Sequence, residues 1–524
     1  MKRYRGYAII ITIINVILSF LMIYEVFLFK GLIDHAVMHE AIKKDIITII
    51  IIIVVMILLH FLFLYLRSKY DLLLEMALKK QLFIALYRAE YQSILNLHSA
   101  KVLSLYLDDI RNICDTKCYI FSQLVSQISR IIFAFIALIR LSYIVVLFLT
   151  FVGLLMMVLS FIYSRYAKKI NMIVLDSNDN LNSYLEESYQ NLKFLNVMSE
   201  PNTLIRRTEY EILKNSKIKA KRNNIKASTN TFITGSMLIL YALIMCYSAY
   251  LIYQNKISYG TLTALVSLVS YFETPFSQIG GYASKFALYR SSALRLDSIL
   301  KLRREEPALM INDFSSIVLE NVSFSYDNKL IYDNFNLTIN KNDIIYIKGP
   351  SGCGKTTLLN IILGFLKYEG KAYVTLNDNV FPLGSGTRQL FSYVPQENIL
   401  FSGTIRDNFK ILDDTLNDEE IISALVSTHV YDELHAGLDY KIYEHGKGLS
   451  VGQIQRILIA MALVKKRPIL IMDEFSSALD KKNEEEIVAL LEGLKKTIIF
   501  VSHKDIKIKA RVCNLEDLNE NNWS

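Results

Sequence analysis

The chain has 524 residues, 52 % of them apolar and 21 % charged, with a mean hydropathy of +0.30. That balance is too oily for a water-soluble enzyme and too charged for membrane spans alone, so a membrane part joined to a soluble part is expected, in about two to four domains by length. Only 20 Gly and 7 Pro exclude collagen-like and low-complexity chains, 5 Cys without paired spacing exclude a disulfide scaffold, and the net charge of +8 lies mostly beside apolar stretches rather than on a nucleic-acid surface.

Apolar stretches occupy approximately 7–29, 46–66, 119–139, 142–163, 231–253 and 258–280. Each approaches or exceeds the roughly 20 residues that a helix needs to cross hydrocarbon, so six spans are expected within a membrane domain of residues 1–305. Lys2, Arg3 and Arg5 precede the first run, as in a signal peptide, but the run is too long for that and lacks a small-residue cleavage site; it reads as a retained anchor. The same basic residues place the N-terminus in the cytoplasm. The segments 67–118 and 164–228, dense in Lys and Arg (Arg165, Lys168, Lys169, Arg206, Arg207), share that side, and the loops opposite are short. Leu72, Leu73, Met76, Leu78 and Leu82 keep a helical rhythm, which predicts spans that continue as helices into the cytoplasm.

Glu25, His60, Arg130 and Glu273 fall inside the spans. Pairing between helices or snorkelling accounts for such residues, and so does lining a polar translocation cavity; both readings stand. His35 and His39 have the spacing of a metal face but fit a solvated outer loop better, and Cys114 with Cys118 fits helix packing.

After the charged linker Lys301–Glu306, composition turns to short strands alternating with helices, so a second domain is expected over 306–524. Asp343–Lys348 reads as a buried strand, Gly349-Pro-Ser-Gly-Cys-Gly-Lys-Thr356 follows it, and Thr357–Leu366 reads as a helix. That is a phosphate-binding loop in its proper context. Gly349, Pro350, Ser351, Gly352, Cys353 and Gly354 form the cradle whose backbone amides meet phosphate. Lys355 reaches the β/γ oxygens, the Thr356 hydroxyl binds Mg²⁺, and Thr357 continues the helix start. Ile469–Asp473 reads as a central strand presenting Asp473 to Mg²⁺ and Glu474 to the attacking water. His503, beyond the apolar run Thr497–Val501, is placed to contact the γ-phosphate. Leu449-Ser-Val-Gly-Gln453 opens another apolar helix. Its Ser450 end is a second anion site, best used on the ATP of a partner chain.

This set, in this order, resembles the nucleotide-binding domain of ABC transporters, and Leu400-Phe-Ser-Gly-Thr-Ile-Arg-Asp-Asn408 resembles the exporter branch. Six spans followed by the ATPase in one chain fit a half-size exporter. The fold implied is an all-α transmembrane six-helix domain with long cytoplasmic extensions, followed by an α/β P-loop ABC ATPase domain. The resemblance further implies that Tyr326 stacks on adenine, that Gln396 senses Mg²⁺ and the lytic water, and that Ser450, Gly452 and Gln453 meet a partner's ATP. It gives Asp480 a reach across a dimer interface and Glu444 a contact with the partner's cytoplasmic helices, and makes Ser93–His98 and Glu187–Leu192 coupling segments. Val451 stands where the family usually has the first signature glycine.

The implied activity is ATP hydrolysis, with ATP and Mg²⁺ as cofactors, coupled to export of an amphipathic peptide, lipid or drug-like compound by a dimer of half-transporters. The cargo is unidentified, and a homodimer is expected in preference to a heterodimer. The other readings are an exporter-fold importer of a metal chelate and an ATP-gated membrane regulator without cargo. No protease-like domain precedes the first span, which argues against a leader-cleaving peptide exporter. The Ile-, Lys- and Asn-rich composition suggests a bacterium, and the expected site is its cytoplasmic membrane, with N-terminus and ATPase inside and lipid, not nucleic acid, as the surrounding partner.

Overall fold

The computed structural model describes residues 5–515, save 96, 98, 199, 306–307, 327–328, 444–445 and 503–505; some helical stretches, notably 154–169 and 273–284, are described by backbone alone. Two compact units divide the chain: Met1–Tyr87 with His98–Lys301, and Arg88–Leu97 with Leu302–Ser524.

The first unit is helical. It holds α1 (Arg5–Val37) and α2 (Lys43–Tyr87) and, after the short α3 (Tyr91–Leu95) of the second unit, α4 (Ser99–Ser104), α5 (Ile110–Tyr119) and α6 (Val125–Leu141). Then come α7 (Tyr143–Gln190), α8 (Leu192–Met198), α9 (Pro201–Tyr253) and α10 (Tyr259–Leu300). Helices α4, α5 and α6 are joined through π-helical turns at Leu105–Asp109 and Ile120–Leu124. Among the described residues, Gly6–Val37, Lys43–Tyr87, Val102–Leu141 and Asn202–Tyr253 are long and apolar enough to cross a membrane; α7 and α10 open with the shorter apolar segments Tyr143–Gly153 and Tyr259–Phe272.

Side chains at helical spacing on α1, α6, α7, α9 and α10 make one apolar core, with Ile23, Leu138, Leu149, Leu240, Leu265 and Leu268 buried in it. The apolar surface of α2 stays exposed at Ile50, Ile51, Ile57, Leu58 and Phe61, the condition of a helix whose solvent is lipid. Near the first loop α1 and α10 approach so closely that a Cβ on Gly260 would lie 2.2 Å from the Lys30 carbonyl, while Asp34 accepts from the Gly260 amide and the Ser258 hydroxyl, both at 2.9 Å. Lower down, the buried Asp109 accepts at 2.6 Å from both Ser292 Oγ and Arg295 Nη2, tying the first π turn to α10.

The second unit is α/β. Its strands and helices run β1 (Ser316–Tyr326), β2 (Lys329–Asn340), β3 (Ile344–Lys348), α11 (Lys355–Ile362), β4 (Glu369–Leu376), β5 (Asn379–Pro382), β6 (Phe391–Val394), β7 (Gly403–Thr404), α12 (Ile405–Leu412), α13 (Asp418–Ser427), β8 (Lys441–Ile442), α14 (Val451–Val464), β9 (Ile469–Asp473), α15 (Lys481–Gly493), β10 (Thr497–Val501) and β11 (Arg511–Asn514). A parallel sheet, ordered β11-β3-β10-β9-β6, carries helices; an antiparallel sheet, β2-β1-β4-β5, stands beside it. Every residue of β9 and β10 is buried, as strands covered on both faces must be, and their apolar composition follows from that. The helix after the phosphate loop is shorter than the apolar pattern to Leu366 predicts. It ends at Ile362 because Gly364 turns left-handed (φ +68°) with Gly384 so close that a Cβ would meet it at 2.5 Å.

Candidate nucleotide site

The segment between β3 and α11 folds as a loop only glycine permits at two places. Gly352 (φ +82°) and Gly354 (φ +106°) are left-handed, and a Cβ on Gly354 would lie 2.6 Å from Ile331 and 2.8 Å from the Tyr332 hydroxyl. That hydroxyl donates to the Gly354 carbonyl at 2.8 Å; burial pushes the phenol up, so it remains a donor. Lys355 is buried, and its Nζ donates to the carbonyls of Gly349 and Pro350 at 2.8 and 2.9 Å, which fixes the ammonium across the loop's mouth. Gly349, Pro350, Ser351, Gly352 and Cys353 complete the loop; Thr356 is exposed on the first turn of α11 and Thr357 is buried behind it. Amides at a helix start, facing the carboxyl edge of a parallel sheet, suit an anionic phosphate.

One further strand, β9, brings two carboxylates to the same edge, and the loop after β6 brings an amide. β9 ends on Asp473, which is buried, and Glu474 follows in a left-handed conformation (φ +54°) rare for a non-glycine residue, its amide donating to the Val501 carbonyl at 3.0 Å. The strain turns its side chain toward the loop after β6, where Gln396 Nε2 donates to Glu474 Oε2 at 2.7 Å. An amide bonded to a carboxylate at a strand end can hold a water between them and a phosphate. The Thr356 hydroxyl and the Asp473 carboxylate are hard oxygen donors, the type that Mg²⁺ takes.

The N-terminus of α14 has its own geometry. Ser450 Oγ accepts from the Gln453 amide at 3.2 Å and Gln453 Oε1 accepts from the Ser450 amide at 2.8 Å, a reciprocal capping box. Val451 is 68 % exposed, and Gly452 packs so that a Cβ would stand 3.1 Å from the Ala478 carbonyl. Asp480 caps α15, accepting from the Asn483 amide at 2.8 Å. Tyr326, at the end of β1, is 43 % exposed and meets Phe324 edge-on at 4.8 Å between ring centres, leaving a ring face for an adenine. His503 and Glu444 lie outside the described residues.

Of the span residues, Glu25 on α1 and Arg130 on α6 are half-buried, and both lie within electrostatic reach of Tyr271 on α10, whose hydroxyl donates to the Met22 carbonyl at 3.4 Å. His60 stands on the exposed side of α2, 5.7 Å from the Phe63 ring. Glu273 sits on the α10 backbone, its side chain outside the described set. Between α1 and α2 His35 bonds Asp45 at 2.7 Å, and elsewhere Cys118 on α5, one turn from Cys114, donates to Asp71 on α2 at 3.2 Å.

Sequence reading missed three contributors. Tyr332 looked like any strand aromatic, Glu433 like any surface acid, and Tyr271 like packing. An arginine three residues beyond Gln453 on an otherwise apolar helix was the available sign that a buried anion partner existed near the signature end.

Two family models match the chain: the ABC transporter transmembrane region over residues 8–276 and the ABC transporter model over 332–477. A putative export ATP-binding/permease protein of Rickettsia bellii is 26 % identical over 96 % of this chain and 90 % of its own length. An ATP-dependent lipid A-core flippase of Desulfotalea psychrophila is 34 % identical over 48 % of this chain, which spans about half of that relative, 46 %. A solved bacterial Atm1-family ABC exporter with ATP bound has the same fold, at a TM-score of 0.78 and 18 % identity over 96 % of this chain and 92 % of that one. With the transmembrane model covering more than half of its length and the ATPase following in the same polypeptide, the chain belongs to the ABC transporters, as a multi-pass membrane ATPase of the half-size exporter type.

Proposed function

We propose that the protein hydrolyses ATP as a dimer of half-transporters, most simply a homodimer, and exports an amphipathic compound (a peptide, a lipid or a drug-like molecule) across a bacterial cytoplasmic membrane. The observation that carries hydrolysis is the Gln396–Glu474 bond at 2.7 Å on a strained backbone, beside a phosphate loop closed by Lys355. Glu474 orients the water, Lys355 and the loop amides take up charge on the phosphates, and Tyr326 receives the adenine. Thr356 and Asp473 would hold Mg²⁺, which when bound would supply charge neutralisation at the phosphates. His503 is assigned the γ-phosphate from its place beyond β10. A second helix start, at Ser450, supports a sandwich in which each chain completes the other's site, since one nucleotide does not readily occupy two helix ends of one domain, with Gly452, Gln453 and Asp480 facing the partner. ATP then shifts the population toward the closed arrangement, and hydrolysis releases it.

The segment Arg88–Leu97 supports the coupling assignment near Ser93–His98. Tyr91 packs on Phe365 with ring centres 4.8 Å apart, and Glu90 pairs with Lys367 at 2.8 Å and Arg303 at 2.9 Å, all within the ATPase unit. Export of an amphipathic molecule is in keeping with the lipid A-core flippase among the relatives and with the polar Glu25–Arg130–Tyr271 group among the spans.

Glu474→Gln tests the reading. In lipid, turnover is expected to fall by about a hundredfold or more, the scale of losing a water-positioning base, while ATP stays bound to a closed dimer. Normal turnover in that variant removes the assignment. Cargo accumulation in inverted vesicles on ATP addition supports export, whereas an ATP-driven conformational change without flux favours a regulator.

A further inference from the structure

Glu433 ends a short 3₁₀ turn, Tyr431–Glu433, and turns its carboxylate toward the start of α14. Its Oε2 accepts from Gln453 Nε2 at 2.9 Å, and Arg456 Nη2 lies 2.7 Å from both carboxylate oxygens. Arg456 is 4 % exposed, and it also donates through Nη1 to the His429 carbonyl at 2.5 Å and through Nε to the Gly452 carbonyl at 3.4 Å. The guanidinium thus joins the turn to the backbone of the signature segment itself. The Gln453 amide is used at both ends, its oxygen on the Ser450 N–H and its nitrogen on Glu433. Rotated by half a turn, it would set nitrogen against N–H and oxygen against carboxylate, so Glu433 admits one orientation only.

That orientation decides what Ser450 can offer. Its amide is bound by Gln453 Oε1 and its Oγ already accepts from the Gln453 amide, so the hydroxyl proton is what remains to donate outward. We propose that Glu433 is a positioning residue for the ATPase reaction: through Gln453 and Arg456 it holds the Ser450 end of α14 as a hydroxyl donor for the γ-phosphate of ATP bound to a partner chain. Glu433 meets no nucleotide itself. The inference rests on the dimer reading above.

The full chain in lipid tests it through Glu433→Gln, which keeps the shape of the side chain but replaces one acceptor oxygen with a donor. Steady-state kcat is expected to fall about tenfold, the scale of one charge-assisted hydrogen bond. The affinity of the chain's own site for a fluorescent ATP analogue without Mg²⁺ should stay within about twofold, since that site is built by β3 and α11. In the Glu474→Gln background, ATP retained after rapid gel filtration should drop when Glu433→Gln is added, and Glu433→Asp should restore part of it. Unchanged kcat and unchanged retention overturn the inference while leaving the dimer standing. A parallel loss of kcat, own-site affinity and melting temperature overturns it too, by making Glu433 a merely structural residue. If Glu474→Gln alone retains no ATP, the dimer reading falls and this inference falls with it.

Discussion

Val451 sits at the first position of α14 with its isopropyl group largely in solvent. A branched side chain there adds bulk on the face that Ser450 presents, and a glycine would let a phosphate approach the backbone. Val451→Gly is expected to raise kcat by severalfold while lowering the melting temperature slightly, since glycine in a helix costs up to about 1 kcal/mol; equal or lower turnover in a lipid-reconstituted ATPase assay refutes the crowding argument. The glycine-rich turn at 349–356, between a strand and a helix, was legible in the sequence because left-handed backbone at Gly352 and Gly354 calls for glycine. Glu433 was not: a carboxylate in a polar turn has no sequence mark until Arg456 is found buried against it. Nor did the left-handed backbone of Glu474 have a sign, since strain at a strand end is imposed by the sheet around it.

Among elements, the long helices follow from apolar runs and periodicity, and their starts from caps such as Ser142 and Ser258. The π turns flanking α5 carry no such signal; each holds one extra residue that packing, as at Asp109 with Ser292 and Arg295, makes worthwhile. In the ATPase unit, Asp413 ends α12 and ties it to α14. It accepts from the Thr415 hydroxyl at 2.6 Å and from Lys465 at 3.1 Å, and these bonds, the Thr415 one foremost, pull its carboxyl down to about 2. A carboxyl lowered on folding stabilises the fold above its unfolded value near 3.8, and that contribution fades as pH falls from about 4 toward 2. Asp413→Asn should therefore melt below the parent at neutral pH, with the gap closing through that acid window. A gap that does not change with pH in thermal scans contradicts the assignment.

At the level of the whole molecule, each unit has its own core, one helical and lipid-facing, one α/β, so unfolding is expected in separate steps rather than one. ATP at a hundred times its dissociation constant should stabilise the ATPase step by about 2.7 kcal/mol and leave the helical step in place; calorimetry in lipid that shows both steps shifting alike excludes independent units. The composition changes after Lys301 for a plain physical cause: a helix in lipid and a strand between helices need different residues. The sequence could not announce that the ATPase unit takes ten residues from far upstream, because Arg88–Leu97 reads as a continuation of a stalk. Only a tertiary pairing, the Glu90 amide to the Arg303 carbonyl at 2.8 Å and the Glu305 amide to the Arg88 carbonyl at 3.0 Å, reassigns them.

That pairing makes the ATPase unit discontinuous in the sequence while it is continuous in space. A fragment cut at Leu302 would carry Phe365 and Lys367 without Tyr91 and Glu90, leaving the aromatic only its Arg388 and core contacts and the cation without its Glu90 carboxylate. Ala89 and Arg304 form a single antiparallel bridge, so residues 88–97, grafted onto the fragment's front end or added as a free peptide, are expected to restore those contacts without rebuilding any membrane helix. The natural border of the ATPase unit is thus a splice between distant stretches, and the membrane helices between them are, topologically, an insertion into it.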